Sequence, residues 1–194
     1  MTTTISALYD SGDAAAAAVR DLKVTGLSDA DISVLSAEAA AQETESEAGH
    51  DVLADAGTGA AVGASLGGMG GLLAGLGLVT VPGIGAVLAA GWLASTAAGA
   101  AAGAAVGGAA GGLIGALMAD GISEEDAHVY AEAVRRGGTL VVARVPNLRL
   151  DAARTVLDAH RVSVPVRRAA YEDEGWTGFD EQAPTREKRP ARLI

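Results

Sequence analysis

Residues 56–119 form a continuous stretch of 64 residues without Asp, Glu, Lys, Arg or His. The stretch reads AGTGAAVGASLGGMGGLLAGLGLVTVPGIGAVLAAGWLASTAAGAAAGAAVGGAAGGLIGALMA. It is rich in alanine and glycine, and larger apolar residues make up most of the remainder. An uncharged apolar run of this length is sufficient for two membrane passes or for a buried helical pair. It therefore decides how the chain can fold.

The middle of this stretch contains a turn signal. Pro82 disfavours helix in the residue before it, and Gly83 and Gly85 follow at close spacing. We therefore expect a hairpin of two helices, over about 57–80 and 86–119, with its turn at Pro82, Gly83 and Gly85. The tip carries no charge, whereas acidic residues lie on both sides of the stretch, which suits insertion from one side.

Two glycine ladders with a strict spacing of four follow the two arms. Residues four apart lie on one face of a helix, so each ladder would form a shallow groove for a closely packed helix. Because glycine costs about 0.8–1.0 kcal/mol relative to alanine in an exposed helix, we expect these grooves to be covered. The predicted helix-packing residues are Gly59, Gly63, Gly67, Gly71 and Gly75 in the first arm, and Gly99, Gly103, Gly107, Gly111 and Gly115 in the second.

The flanking sequences predict a small α+β domain that the stretch interrupts. Residues 1–40 show a strand at 3–9, a helix at 14–23 and a strand at 32–35. After an acidic connector at 41–55 and the hairpin at 56–119, residues 120–170 show a helix at 124–136, a strand at 139–145, a helix at 149–160 and a last strand at 162–166. Without the hairpin and the helix after it, the order is β-α-β followed by β-α-β.

This order predicts a split, ferredoxin-like fold, with an antiparallel sheet and helices on one face. The last strand should lie at an edge, since Pro165 cannot donate a hydrogen bond to a ladder. The alternative is that the two halves are unrelated caps. Residues 171–194 resemble a disordered tail, and a peptide that contacts lipid headgroups or a partner subunit is the alternative.

Composition excludes several functional classes. Cysteine is absent, which removes disulfides, thiolate metal sites and a cysteine nucleophile. The net charge of −10 argues against nucleic-acid binding. The three histidines lack metal-ligand spacing, and no phosphate-binding loop motif is present. We therefore expect no catalytic residues, no metal and no cofactor. Arg135 and Arg136 complement the end of the helix at 124–136, with contact to an anion or a lipid headgroup as the alternative.

Residues 1–167 resemble the bacterial general-stress-protein family, also called heat-induced stress proteins. The resemblance lies in Tyr9-Asp10-Ser11, in residues 26–35 (GLSDADISVL), in residues 81–85 (VPGIG), in residues 121–125 (GISEE), and in Tyr130 and residues 134–138 (VRRGG). Trp92 departs from it, at a position where a small residue or proline is expected. The resemblance implies expression under stress and a glycine-rich insert between two halves of an α/β domain; it implies no reaction.

These observations predict a non-enzymatic stress-response protein that forms homo-oligomers through the glycine-zipper hairpin. The first hypothesis places the hairpin in or on the inner membrane, which it would reinforce or remodel, beneath a cytoplasmic domain. The N-terminus lacks the features of a signal peptide, which favours a cytoplasmic location for the flanks. The alternative is a soluble cytoplasmic oligomer or cage whose hairpins bury one another, with or without an apolar ligand.

Overall fold

A computed structural model describes residues 1–37, 77–81, 84–93 and 113–180 of the protein. Their strands and helices are, in chain order, β1 (Thr2–Tyr9), α1 (Gly12–Val24), β2 (Ile32–Ser36), β3 (Gly77–Val81), β4 (Gly85–Ala90), α2 (Leu113–Ala119), α3 (Glu124–Arg135), β5 (Thr139–Pro146), α4 (Leu150–Asp158) and α5 (Val164–Asp173). Short 3₁₀ turns precede β2 and α4.

The five strands form one antiparallel sheet in the order β1-β5-β2-β4-β3. Strand β5 pairs with β1 along its whole length, from Thr2↔Pro146 to Tyr9↔Thr139. On its other side, β5 pairs with β2 from Ile32↔Ala143 to Ser36↔Thr139. The prediction of an α+β fold is confirmed.

Strand β5 is buried on both faces because apolar residues occupy successive positions. Side chains alternate across a sheet, so Leu140 and Val142 face one side, whereas Val141, Ala143 and Val145 face the other. All five are fully buried. Such a strand requires cover on both faces.

Helices α1 and α4 cover the face of Val141. Ser11 caps α1 by accepting a hydrogen bond from the Ala14 amide at 3.3 Å, and the helix buries Ala15, Val19 and Leu22. Helix α4 adds Ala153 and Leu157 to the same cluster. The predicted helix at 14–23 and the predicted strands in this half are confirmed.

Helices α2 and α3 cover the opposite face. Ser123 caps α3 by accepting from the Asp126 amide at 3.2 Å, and α3 buries Val129 and Val134 against Leu140 and Val142. The helices of the two predicted β-α-β units, α1 and α4, thus lie together on one face, and α2 and α3 cover the other. Cover is needed there because β5 and β2 carry apolar side chains on both faces.

The prediction of a helical hairpin is wrong for residues 77–81 and 85–90, whereas Leu113–Ala119, at the end of the predicted second arm, is the helix α2. Residues 77–81 and 85–90 are strands, and they form a β-hairpin with the register Gly77↔Ala89 to Val81↔Gly85. Of the predicted turn residues, Gly85 begins β4, and Pro82 and Gly83 lie outside the described residues. Short runs such as Leu78-Val79-Thr80-Val81 suit strands as well as helices. Here β4 pairs with β2, and β3 pairs with β4, so both segments are strands of the sheet.

The predicted last strand at 162–166 is wrong. Val162 makes a single bridge, in which its amide donates to the Leu8 carbonyl at 2.7 Å. Residues from Val164 onward form α5, with Pro165 in its first turn. Proline is tolerated there because the first helical amides have no partner within the helix.

The prediction of a disordered tail is wrong for residues 171–180. Tyr171 and Phe179 are buried in the same cluster as α3. Residues 181–194 lie outside the described residues, so that part of the prediction is untested.

Gly91, directly after β4, provides a test of this packing. Its φ is +76°, and a Cβ there would lie 2.1 Å from the Ile32 carbonyl oxygen. Gly121 has a φ of +89° but open space around it. Both Gly→Ala changes cost about 1–2 kcal/mol through the left-handed conformation. We expect G91A to lose clearly more unfolding free energy than G121A in urea titrations, because it must also displace β2. Equal losses would contradict the described position of β4 against β2.

Tyr9 makes stability sensitive to alkaline pH. Its hydroxyl donates to the Leu157 carbonyl at 2.9 Å, and burial raises the pKa of Tyr9 to about 12. The unfolded chain loses this proton near pH 10 while the folded chain retains it, so the contribution is complete below pH ~10 and is lost as pH rises toward 12. We expect Tyr9→Phe to weaken the fall in unfolding free energy between pH 9 and pH ~11.5. Burial also raises the pKa of Tyr130 and Tyr171, so part of the fall remains. If the unfolding free energy of the variant and that of the wild type fall equally with pH over this range, this role of Tyr9 is contradicted.

Candidate self-association site at the insert

Strand β3 forms one edge of the sheet among the described residues. It pairs with β4 on its inner side, and no described strand pairs with its outer side. An edge strand presents a row of backbone N–H and C=O groups that another strand can bind. Charged side chains, lysine above all, are a usual means of blocking such an edge. Residues 77–90 contain none.

The opposite edge, β1, is partly closed by the chain itself. The Val162 amide donates to the Leu8 carbonyl at 2.7 Å, which occupies one position on the outer side of β1. The two edges therefore differ, and β3 is the more accessible to a new strand among the described residues.

A polar cluster joins the insert to the central strand. Trp92 Nε1 donates to Asp120 Oδ2 at 2.7 Å, and Arg144 of β5 forms an ion pair with the other oxygen of Asp120. The Arg144 guanidinium also lies over the Trp92 ring, 4.2 Å from its centre. Asp120 is largely buried, so its hydrogen bond from Trp92 and its ion pair with Arg144 contribute more to stability than they would in water. This Trp92–Asp120–Arg144 cluster holds Trp92 against β5. It also holds there Asp120, the first charged residue after the uncharged stretch.

A second contact holds the chain after β4. The Leu93 amide donates to Ser33 Oγ of β2 at 3.2 Å, and the Leu93 side chain is fully buried. Trp92 and Leu93 are thus fixed at the sheet before the chain enters residues 94–112, which lie outside the described residues.

The chain returns from those residues in α2, which packs on α3 by burying Leu113, Ile114 and Leu117. Gly115, the last residue of the second ladder, lies in α2 and is half-buried. The other predicted helix-packing residues lie outside the described residues: Gly59, Gly63, Gly67, Gly71, Gly75, Gly99, Gly103, Gly107 and Gly111. Their prediction stays untested.

Arg135 and Arg136, the predicted anion contacts, lie beneath the C-terminal segment. Both pair with Glu132, which is fully buried, and Arg136 also pairs with Glu174. The two guanidinium groups lie over aromatic rings, Arg135 at 5.3 Å from the centre of Phe179 and Arg136 at 4.0 Å from that of Tyr171.

The charges around these arginines are balanced within the chain. Burial alone would lower the pKa of Arg136, but hydrogen bonds to Glu174 and Glu132 raise it above its ordinary value. Further along the segment, the Phe179 amide donates to His128 Nδ1 at 3.0 Å, and Arg168 pairs with Glu125 and Asp126. In the described residues, these arginines therefore hold residues 164–180 on α3.

The described residues include no group of three His, Cys, Asp or Glu side chains arranged to hold a metal ion. Within the same residues, every helix is too short or too polar to cross a lipid bilayer. Compared with known proteins, the chain matches no family model, no curated protein and no solved structure.

Sequence reasoning missed the Trp92–Asp120–Arg144 cluster and the pairing of Glu132. A signal was present for the first, since Arg144 is the lone charge in an apolar strand and Asp120 is the first charge after the stretch. Such charges are buried only with a partner. For Glu132 the sequence shows an acid near two arginines on a helix, which is also the pattern of an exposed surface.

The cluster predicts an unequal cost of removing two aspartates. Asp120→Ala leaves the Trp92 donor and the Arg144 guanidinium without this acceptor, which costs about 1–3 kcal/mol. Asp158→Ala breaks an exposed pair with Arg161 and should change stability by less than about 1 kcal/mol. Urea unfolding followed by tryptophan fluorescence measures both losses. A loss for D120A no larger than that for D158A would contradict the cluster's anchoring role.

Proposed function

We propose that the protein is a non-enzymatic homo-oligomer whose copies associate through the uncharged insert at residues 56–119. The observation that carries this proposal is the edge strand β3, an uncharged segment whose outer side pairs with no other described strand. Each copy has a net charge of −10, so two copies repel each other on average. The uncharged insert adds nothing to that repulsion.

The folded part supplies a rigid base for this contact. Strand β4 pairs with β2, and the Trp92–Asp120–Arg144 cluster ties the insert to β5. A split, ferredoxin-like arrangement is part of the proposal. It is supported by the order Val162-β1-β5-β2, in which the first and third strands of the motif are central. The β3–β4 hairpin would then extend that sheet.

Mutual burial of inserts explains the described strands better than a membrane-spanning helical hairpin does. Open sheet edges do not occur in contact with lipid hydrocarbon, since each free backbone group there costs several kcal/mol. Residues 77–81 and 85–90 belong to the same sheet as β2 and β5. The proposal therefore favours the soluble assembly over attachment to the inner membrane. The stress-response role rests on the family resemblance alone.

The location test separates the two hypotheses. We expect the protein to stay in the supernatant after a carbonate wash of membranes, and to give a defined oligomer by light scattering without detergent. A protein that pellets with membranes would support attachment and contradict the soluble assembly. A soluble monomer would contradict self-association itself.

The glycine ladders provide a second test. Gly67→Leu and Gly107→Leu place a bulky side chain on a predicted helix-packing face, so each should lower the oligomer fraction at a given concentration. Ala152→Leu, on an exposed position of α4, adds the same side chain away from the insert and serves as the control. Size-exclusion profiles of all three that match the wild type would contradict a role of the ladders in assembly.

A further inference from the structure

The outer side of β3 has the composition of a strand that pairs with another strand. Gly77-Leu78-Val79-Thr80-Val81 carries three β-branched residues, no proline and no charge. Native edges that must stay single are blocked by lysine, proline, a bulge or a covering segment. The described residues provide none of these at β3, whereas at β1 the chain provides the Val162 bridge.

Charge favours a second copy of this chain as the occupant. A strand that binds the edge must approach along residues 77–81, with β4 directly behind them, and no position of either strand carries charge. The same edge of a second copy meets this requirement. A strand that carries charge would bring it against these uncharged strands without a partner, which costs free energy.

We propose that two copies pair through their β3 strands in an antiparallel, two-fold arrangement, so that two five-stranded sheets become one continuous sheet. This inference rests on the proposed self-association and names its contact. All strand pairs in the described sheet are antiparallel, and a two-fold axis makes the contact self-complementary. The axis passes beside Val79, the middle residue of β3, and Leu78 of each copy lies opposite Thr80 of the other.

The register makes a direct test available, because the protein contains no cysteine. In an antiparallel pair, opposite Cα atoms lie about 4.5–5.5 Å apart, which is within the range that a disulfide spans. Val79→Cys in the full chain should therefore shift the main non-reducing gel band from monomer to dimer under mild oxidation. Leu78→Cys and Thr80→Cys should link less, since neither residue faces its own copy across the axis.

Two controls measure linkage that does not depend on this contact. Thr4→Cys lies on the other edge strand, β1, and Val24→Cys lies on an exposed position of α1. Both should remain monomeric on the gel under the same oxidation. Circular dichroism of each variant establishes that it is folded, and Thr80→Lys gives a second variant that should reduce the oligomer by opposing like charges.

The outcomes distinguish the contact from self-association in general. Dimer formation by Val79→Cys above both controls supports the paired β3 strands. If the wild type is an oligomer but no cysteine at 78, 79 or 80 links above the controls, and Thr80→Lys leaves the oligomer intact, the β3 contact is overturned and self-association stands. Residues 38–76 or 94–112 of the same chain would then be the occupant to consider. A monomeric wild type overturns both.

Discussion

Strand β5 carries apolar side chains on both faces of the sheet, and burial of those two faces is the constraint from which the other contacts follow. Leu140 and Val142 require cover on one side, and Val141, Ala143 and Val145 require it on the other. Helices α1 and α4 meet one requirement. The other is met by α2 and α3 together with Leu93 and other residues of the insert. Because burying one such side chain contributes about 1.5–3 kcal/mol, each layer contributes strongly to stability.

The insert is consequently part of the folded core as well as a surface for association. Strand β4 extends the sheet from β2, and Val87 and Leu93 are fully buried. Anchors at the Trp92–Asp120–Arg144 cluster and at Ser33 fix the chain on either side of residues 94–112. A sheet that binds the insert at these points can present its uncharged edge in one orientation, which a flexible linker could not do.

Local patterns in the flanks predicted most of the described elements, because their caps and periodicities are self-contained. The Ser11 and Ser123 caps and the alternation of residues 139–145 are examples. The insert was predicted as helix because its length and glycine spacing suggested one, whereas the strands at 77–81 and 85–90 depend on the pairing of β4 with the distant strand β2 and of β3 with β4. The prediction of a strand after Val162 is wrong for a similar reason, since Pro165 suits a strand edge and a first helical turn equally. For the candidate site, the pairings of Asp120 and Glu132 depend on tertiary contacts that one sequence does not display.

The central claim is that part of the insert folds as one unit with the sheet, and native-state hydrogen exchange tests it most directly. Amides of β4 and β5 should exchange with the same opening free energy at every urea concentration below the unfolding transition, since both belong to the same cooperative core. Fast exchange of residues 85–90 while residues 139–146 remain protected would show that the insert opens independently. That result would contradict the account.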